Sequence, residues 1–366
     1  MPGAPTCVAP PTPSTTPVSC RWPRASTSRS DSGADSEGYM TEDSADYSQI
    51  AGRPRFSTAS IRTVLQDAYG IDADLAALPS ERDQNFRVIE DGVARYVVKV
   101  SNAAEQPPIV DLQRRAMDQL SAAGLGCPVV VPASDGQHVQ VVDRHLVWVL
   151  TFLPGDLMAD HAGRSAQLLR AFGVFLGRVT RALADFEHPA ADRHLQWNVL
   201  QAEAVLSRYL PDVEESRRRL VQTALDAFAV RVEPALSQLP RSVIHNDAND
   251  HNVLIDGDTI TGLIDFGDMV HSATLNELAV GCAYAALGQG DPTQVIQTVA
   301  AGHATSAPLT KEERALLPEL VRTRLATSVA ISAHQHTLDP HDAYLTVSEG
   351  QAWQTLAAMD DALPHN

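Results

Sequence analysis

The sequence predicts an α/β protein of the α+β type, with a small antiparallel-sheet lobe followed by a larger, mainly helical lobe. Three patterns lead to this prediction. Residues 78–88 and 92–100 are expected to be strands, the second of them rich in β-branched residues. Residues 167–186 place apolar side chains at helical spacing. Residues 252–265 contain two apolar runs around a turn signal and are expected to form a hairpin.

The length of 366 residues is enough for two lobes and a large core. We expect the first lobe at 51–150 and the second at 151–366. Residues 1–50 are expected to be a disordered tail, because the stretch 1–30 is rich in Pro, Ser and Thr and has no acidic residue. The tail would be either a transit peptide or the result of a start site set upstream of Met40.

Charge and cysteine content exclude several classes of protein. The net charge of −17 argues against nucleic acid as a partner, since binding to phosphates needs clustered Lys and Arg. The chain has no apolar run of about 18 residues, so no membrane span is expected. Four cysteines without C-x-x-C spacing support neither a zinc site nor a disulfide framework. The acidic balance is typical of a soluble cytoplasmic enzyme.

The first lobe contains one unusual lysine. A helix predicted over 58–69 ends at Gly70, and the strand over 92–100 contains Lys99 in a β-branched run. The chain has only two lysines among its 28 basic residues, so a lysine in an apolar strand indicates a need for a compact point charge. Together with the motifs downstream, this favours a nucleotide-phosphate ligand. A snorkelling lysine on an edge strand is the alternative.

The second lobe contains the pattern that indicates chemistry. His245, Asp247 and Asn252 are followed, thirteen residues after Asn252, by Asp265 in an Asp-Phe-Gly sequence. This is the spacing at which kinase-like folds assemble a catalytic Asp and two magnesium ligands. Asp247 can accept the proton of an attacking hydroxyl. The hairpin, with its Asp-Gly turn at 256–257, should return Asp265 to the side of Asn252, where both supply the oxygen ligands that Mg²⁺ prefers.

The chain from about residue 55 to its end resembles the aminoglycoside phosphotransferase/choline kinase superfamily, and within it the hydroxylysine kinase-like small-molecule kinases. The residues that carry the resemblance are Leu78 to Ser80, Asp83 to Phe86, Tyr96 to Lys99, Thr151 to Gly155, Trp197, His245, Asp247, Asn252, Asp265 to Met269, Leu278, Ala279, Arg324 to Ser328, Tyr344 and Trp353. The resemblance implies a bilobal protein-kinase-like fold.

The resemblance also implies how a nucleotide is held. Lys99 would neutralise the α- and β-phosphates. A turn containing Ser80, Asp83, Gln84 and Asn85 would cover the phosphates with backbone N–H groups. This turn lacks the glycines of the protein-kinase loop, which argues against a protein substrate.

The segment 149–152 would be the hinge between the lobes. The resemblance implies that Leu150 and Phe152 offer backbone groups to the base of the nucleotide.

Two expected features are missing from the sequence. The lysine of this fold normally pairs with a Glu on the next helix, predicted here at 109–123, but that helix contains no Glu. Asp111 or Gln113 could replace it. Asn198 stands after Trp197 where the family usually has an Asp.

Three residues are candidates for binding the acceptor. Asp268 and Glu277 follow the metal-binding Asp and could bind an amine, although the acid at position 277 is often structural in the superfamily. Arg324 lies on a helix expected to cap the cleft, and its guanidinium suits a carboxylate. A surface salt bridge is the alternative for Arg324.

The leading function is ATP- or GTP-dependent transfer of a phosphoryl group to the hydroxyl of a small amine-bearing acceptor, such as a hydroxylysine-like amino acid or an amino alcohol. Mg²⁺ is the expected cofactor. Transfer should be direct, because no motif for a nucleophilic Ser, Cys or His is present. Two alternatives remain, an aminoglycoside or peptide-antibiotic phosphotransferase and a nucleotide-binding pseudokinase. The oligomeric state is open.

Overall fold

The computed structural model describes residues 53–80, 82–161, 163–338 and 349–363. The predicted tail at 1–50 and Tyr344 lie outside these residues. The predicted boundary between lobes, at 150 and 151, stays a prediction.

An antiparallel sheet forms the first part of the described chain. Its strands lie in the order β1-β2-β3-β6-β4, with β5 paired to β6. The strands are β1 (Asp74–Leu78), β2 (Gln84–Glu90), β3 (Val93–Val100), β4 (Val130–Val131), β5 (Gln140–Val142) and β6 (His145–Thr151). The stretch predicted as one strand at 78–88 is thus the end of β1 and the start of β2, because the polar residues Ser80, Arg82 and Asp83 lie outside both strands.

Helices cover both faces of this sheet. α1 (Thr58–Val64) continues as a π-helical turn to Tyr69 and ends at Gly70, which has φ +67°. It buries Ile61 and Leu65 with the sheet residues Val147 and Val149. α2 (Pro107–Ala122) packs on the opposite face, in the same core as Leu146, Trp148 and Leu150. Successive residues of β6 therefore alternate between the two cores, as the period of a strand requires.

The other α-helices of the described residues are α3 (Ala166–Ala182), α4 (Ala202–Tyr209), α5 (Glu215–Ala227), α6 (Glu233–Leu236), α7 (Leu275–Ala285), α8 (Pro292–His303), α9 (Lys311–Leu338) and α10 (Glu349–Ala362). The long helix α9 packs against α4, α5, α7 and α10, and α3 packs against α8. Among the described helices, none is long and apolar enough to cross a membrane.

The predicted hairpin is present, as β9 (Val253–Asp256) and β10 (Thr259–Leu263). Its turn contains Gly257 with φ +57°. A short strand β7 (Asp156–Leu157), which follows the sheet lobe directly, pairs with β9. A second ribbon joins β8 (Arg241–Ile244) to β11 (Val270–Ala273). These two ribbons hold the segments that carry the predicted chemistry.

Gly126 fixes the position of the hairpin against the chain that leaves α2. Its carbonyl accepts from the N–H of Leu263 at 3.0 Å. A Cβ atom at position 126 would lie 1.9 Å from the carbonyl oxygen of Thr261. Only glycine therefore permits this approach of the two backbones.

We predict that Gly126→Ala lowers the free energy of unfolding by about 1–3 kcal/mol, the usual range for overpacking. Gly290→Ala is the matched control, because a Cβ there meets nothing within 4 Å. Denaturant unfolding of both variants measures the difference. Equal stability of the two variants would show that the approach at Gly126 relaxes without cost.

Candidate active site

The loop that connects β8 to β9 contains His245, Asp247 and Asn252, and it is called the catalytic loop below after its predicted role. Asn246 adopts φ +67°, a conformation that asparagine tolerates better than most residues. The N–H of Ile264 donates to the carbonyl of Asn252 at 2.9 Å. The hairpin thus brings the residue before Asp265 against Asn252, as the sequence predicted.

Both carboxylate oxygens of Asp247 accept hydrogen bonds. Oδ1 accepts from Nδ2 of Asn249 at 2.9 Å and Nη2 of Arg324 at 3.3 Å. Oδ2 accepts from Nδ2 of Asn252 at 2.7 Å. Burial and the nearby charge of Asp268 raise the pKa of Asp247, while Arg324 opposes that shift. The carboxylate is therefore fixed in orientation and surrounded by groups that control its charge.

Glu277 lies on α7 beneath the catalytic loop and is 1% exposed. One of its oxygens, Oε2, accepts from the backbone N–H of His245 at 2.6 Å and of Asn246 at 3.2 Å. Burial raises the pKa of Glu277 to about 7, although these two hydrogen bonds lower it. This arrangement favours the structural role that the sequence left open for Glu277, and binding of the acceptor by Glu277 stays a prediction.

Asp265 and Lys99 form an ion pair between the hairpin and the sheet. Nζ of Lys99 lies 3.1 Å from Oδ1 of Asp265 and 3.9 Å from Oδ2 of Asp83. The charge of Lys99 holds the pKa of the half-exposed Asp265 low, at about 2. Burial lowers the pKa of Lys99, but Asp265 and Asp83 outweigh it and the net shift is upward. Lys99 is 8% exposed, so the alternative of a snorkelling lysine on an edge strand is wrong.

Neither candidate on α2 pairs with Lys99. Asp111 binds Arg114, Arg115 and His188 instead. Oε1 of Gln113 is buried without a hydrogen-bond partner. The two acids next to Lys99 are therefore Asp83, from the loop before β2, and Asp265.

The predicted phosphate turn is shorter in the structure than in the sequence prediction. Gln84 and Asn85 lie in β2, where they pair with Val100 and Lys99. The side chain of Gln84 binds the backbone N–H and carbonyl of Phe56 at 2.8 and 2.9 Å. The loop proper ends at Asp83, because Gln84 is committed to the sheet and to the chain that precedes α1.

Ser80 and Asp83 are held in place by hydrogen bonds. The N–H of Asp83 donates to Oγ of Ser80 at 3.2 Å. Oδ1 of Asp83 accepts from the N–H of Asn102 at 3.0 Å. The turn is therefore fixed beside the side chain of Lys99.

The hinge residues use backbone groups within the sheet. Leu150 pairs with Val97 on one side and Val130 on the other. The N–H of Phe152 donates to the carbonyl of Arg95 at 2.8 Å. This N–H is therefore occupied, and the predicted use of Leu150 and Phe152 for the base stays a prediction.

Arg324 projects from α9 into the catalytic loop and is 5% exposed. Its guanidinium donates to Asp247 and to the carbonyl of Trp197 at 3.3 Å. It also lies over the rings of Trp197 and Tyr284, at 4.6 and 5.5 Å from their centroids. The alternative of a surface salt bridge is therefore wrong, because Arg324 is buried against Asp247, the proposed catalytic base.

Asp268 is buried and accepts from Nη2 of Arg82 at 2.8 Å. Arg82 was not among the predicted site residues, although a cation inside a predicted phosphate turn was a usable signal. Asn198, the departure from the family pattern, caps a short helical turn by accepting from the N–H of Leu200 and accepts from Oγ of Ser272 at 2.6 Å. Its role is therefore to support the fold beside Trp197.

Comparison with known proteins identifies the class to which this fold and site belong. The model of the phosphotransferase enzyme family matches residues 74–317. The chain therefore belongs to the phosphotransferase enzyme family, and the predicted family and enzyme class are confirmed.

Two curated relatives and two solved structures illustrate the similarity. The chain is 29% identical to a hydroxylysine kinase of Mus musculus over 86% of this chain and 92% of that protein. It is 30% identical to a homoserine kinase of Methylobacillus flagellatus over 73% of this chain and 82% of that protein. An amicoumacin kinase structure matches with a TM-score of 0.64, at 15% identity over 85% of this chain and 95% of the other.

A microcompartment-associated aminopropanol kinase structure matches with a TM-score of 0.66, at 21% identity over 83% of this chain and 95% of the other. These likenesses confirm the predicted bilobal kinase-like fold, with a small antiparallel-sheet lobe and a mainly helical lobe.

We predict that Glu277→Ala destabilises the protein by about 1–3 kcal/mol, since it leaves the buried N–H groups of the catalytic loop without an acceptor. Glu277→Gln should lose less, because both hydrogen bonds converge on one oxygen that an amide can supply. Denaturant unfolding and phosphoryl-transfer rates test this order. Equal losses in the two variants would contradict a role based on accepting these hydrogen bonds.

Proposed function

We propose that this chain is a small-molecule kinase that transfers the terminal phosphoryl group of ATP or GTP to the hydroxyl of an amine-bearing acceptor. A hydroxylated amino acid is the favoured acceptor, with an amino alcohol as the related possibility. The observation that most strongly supports an amino acid as the acceptor is the buried ion pair of Arg324 with Asp247. It places a carboxylate-binding group beside the proposed catalytic base. The names of the hydroxylysine and homoserine kinase relatives support the same class.

Asp247 is the proposed catalytic base. It would orient the acceptor hydroxyl and take its proton as the oxygen attacks the terminal phosphorus. The bond from that phosphorus to the bridging oxygen then breaks, and the products are a phosphomonoester and a nucleoside diphosphate. Asn249 and Asn252 each donate to the carboxylate and hold it in place. General acid–base groups of this kind contribute about 10²–10⁴-fold to the rate.

Asn252 and Asp265 fit the role of magnesium ligands. The Nδ2 group of Asn252 donates to both the backbone and side-chain oxygens of Asp247. This leaves Oδ1 of Asn252 as a neutral oxygen donor. Asp265 adds a carboxylate whose pKa is held low, so it is ionised at neutral pH. Mg²⁺ bound there would neutralise charge on the β- and γ-phosphates, the usual role of a divalent ion in this chemistry.

Lys99 is the proposed ligand of the α- and β-phosphates, and the loop with Ser80 and Asp83 would cover them. Lys99 is already positioned by two carboxylates, Asp265 and Asp83. Its raised pKa keeps it charged throughout the neutral range. The choice between ATP and GTP, and the cytoplasmic location, stay predictions from the sequence.

Antibiotic phosphorylation is the second candidate function. The amicoumacin kinase structure shares the fold but at an identity that supports the fold alone. A polycationic acceptor has no need of a carboxylate clamp, so the buried Arg324 favours an amino acid over such a substrate. A pseudokinase is not favoured, because Lys99, Asp247 and Asp265 are all present, with Lys99 paired to Asp265 and Asp247 paired to Arg324.

We predict that Asp247→Asn lowers kcat by about 10²–10⁴-fold, because the amide cannot accept the hydroxyl proton. Asp256→Asn, at the exposed end of β9, is the matched control. Steady-state rates with saturating nucleotide measure the effect. Turnover by Asp247→Asn at the control rate would contradict the base role.

We predict that Arg324→Gln abolishes the preference for an amino-acid acceptor over its decarboxylated form. The ratio of kcat/KM for homoserine and 3-aminopropanol should fall by about 10–100-fold, the range for charge-assisted hydrogen bonds. An effect of the variant on Asp247 changes both rates alike and therefore cancels in this ratio. The ratio for Arg324→Lys should lie between those of the unaltered protein and Arg324→Gln. An unchanged ratio would show that Arg324 serves only to position Asp247.

A further inference from the structure

Arg82 connects the loop before β2 with the segment that follows Asp265. Its Nη2 lies 2.8 Å from Oδ1 of Asp268. The Asp268 side chain is 10% exposed, whereas that of Arg82 is 37% exposed. The arginine therefore reaches from an accessible loop to a buried carboxylate inside the cleft.

The guanidinium of Arg82 lies beside the proposed phosphate site. A Cβ atom built on Gly267 would be 3.7 Å from Nη2 of Arg82 and 3.3 Å from Oδ1 of Asp265. That same Asp265 oxygen accepts from Lys99. Lys99, on β3, and Arg82, in the loop before β2, thus both lie close to the segment from Asp265 to Asp268.

The chemistry of arginine suits a terminal phosphate. A guanidinium carries five N–H donors in a planar fork and binds phosphate through paired hydrogen bonds. The loop of this chain has no glycine between residues 78 and 83, so it cannot wrap phosphates as closely as a glycine-rich loop does. The charged side chain of Arg82, in the same loop, would attract the phosphates more strongly than backbone N–H groups alone.

We propose that Arg82 is a phosphate-binding residue that contacts the terminal phosphates of the nucleotide, with Asp268 holding its guanidinium at the cleft. The proposal rests on the proposed function, because it assumes that a nucleoside triphosphate binds beside Lys99 and Asp265. It also gives Asp268, first considered as a ligand for an acceptor amine, a role in positioning Arg82.

The test is calorimetric titration of the full chain with AMP, ADP and a non-hydrolysable ATP analogue in the presence of Mg²⁺. Arg82→Gln should weaken binding of the triphosphate analogue by about 10–100-fold, the range for charge-assisted hydrogen bonds. It should leave AMP binding unchanged. Arg82→Lys should retain part of the affinity, since an ammonium keeps the charge but loses the fork.

Arg62→Gln is the matched control, because Arg62 forms an exposed ion pair with Asp74 in the same part of the chain. If the ion pair of Arg82 with Asp268 served only the fold, Arg82→Gln would weaken the binding of all three nucleotides equally. That result would overturn the proposal. Unchanged affinity for the triphosphate analogue would overturn it as well. Failure of the unaltered protein to bind that analogue would instead remove the proposed function itself.

Discussion

The ion pair of Lys99 with Asp265 is the contact on which the site depends. It joins β3 of the sheet to the end of the β9–β10 hairpin at 3.1 Å. Asp265 adopts φ +59°, an uncommon conformation for a residue other than glycine. The surrounding fold holds this conformation, since the N–H of Ile264 and the carbonyl of Gly126 fix the hairpin on either side. Such local strain is typical of functional sites and persists only where the structure over-determines it.

Charge balance explains how so many acids can share one cleft. Lys99 faces Asp265, Arg82 faces Asp268 and Arg324 faces Asp247. Glu277 is the exception, since it relies on two backbone N–H groups rather than a cation. Each carboxylate is therefore oriented before any substrate arrives. Groups fixed in advance in this way cost little reorganisation during a reaction, which is the basis of electrostatic catalysis.

Local patterns made the hairpin, the catalytic loop and the lysine strand predictable. Apolar runs and an Asp-Gly turn are properties of short segments, so they can be recognised in the sequence around Asn252 and Asp265. Contacts between residues that are distant in the sequence cannot be predicted from such local patterns. The binding of Gln84 to Phe56, and of Glu277 to the loop at His245, depends on how strands and helices pack. The burial of Arg324 depends likewise on where α9 crosses the cleft, which no local pattern encodes.

Identification of the product by ³¹P NMR tests directly whether the phosphoryl group is transferred to the hydroxyl of the acceptor. The full chain would be incubated with Mg²⁺, ATP or GTP, and hydroxylysine or homoserine. We expect a new phosphomonoester resonance on the acceptor, formed in equal amount with the nucleoside diphosphate. Nucleotide that binds but remains intact with each acceptor, or that yields inorganic phosphate alone, would contradict transfer to such a hydroxyl.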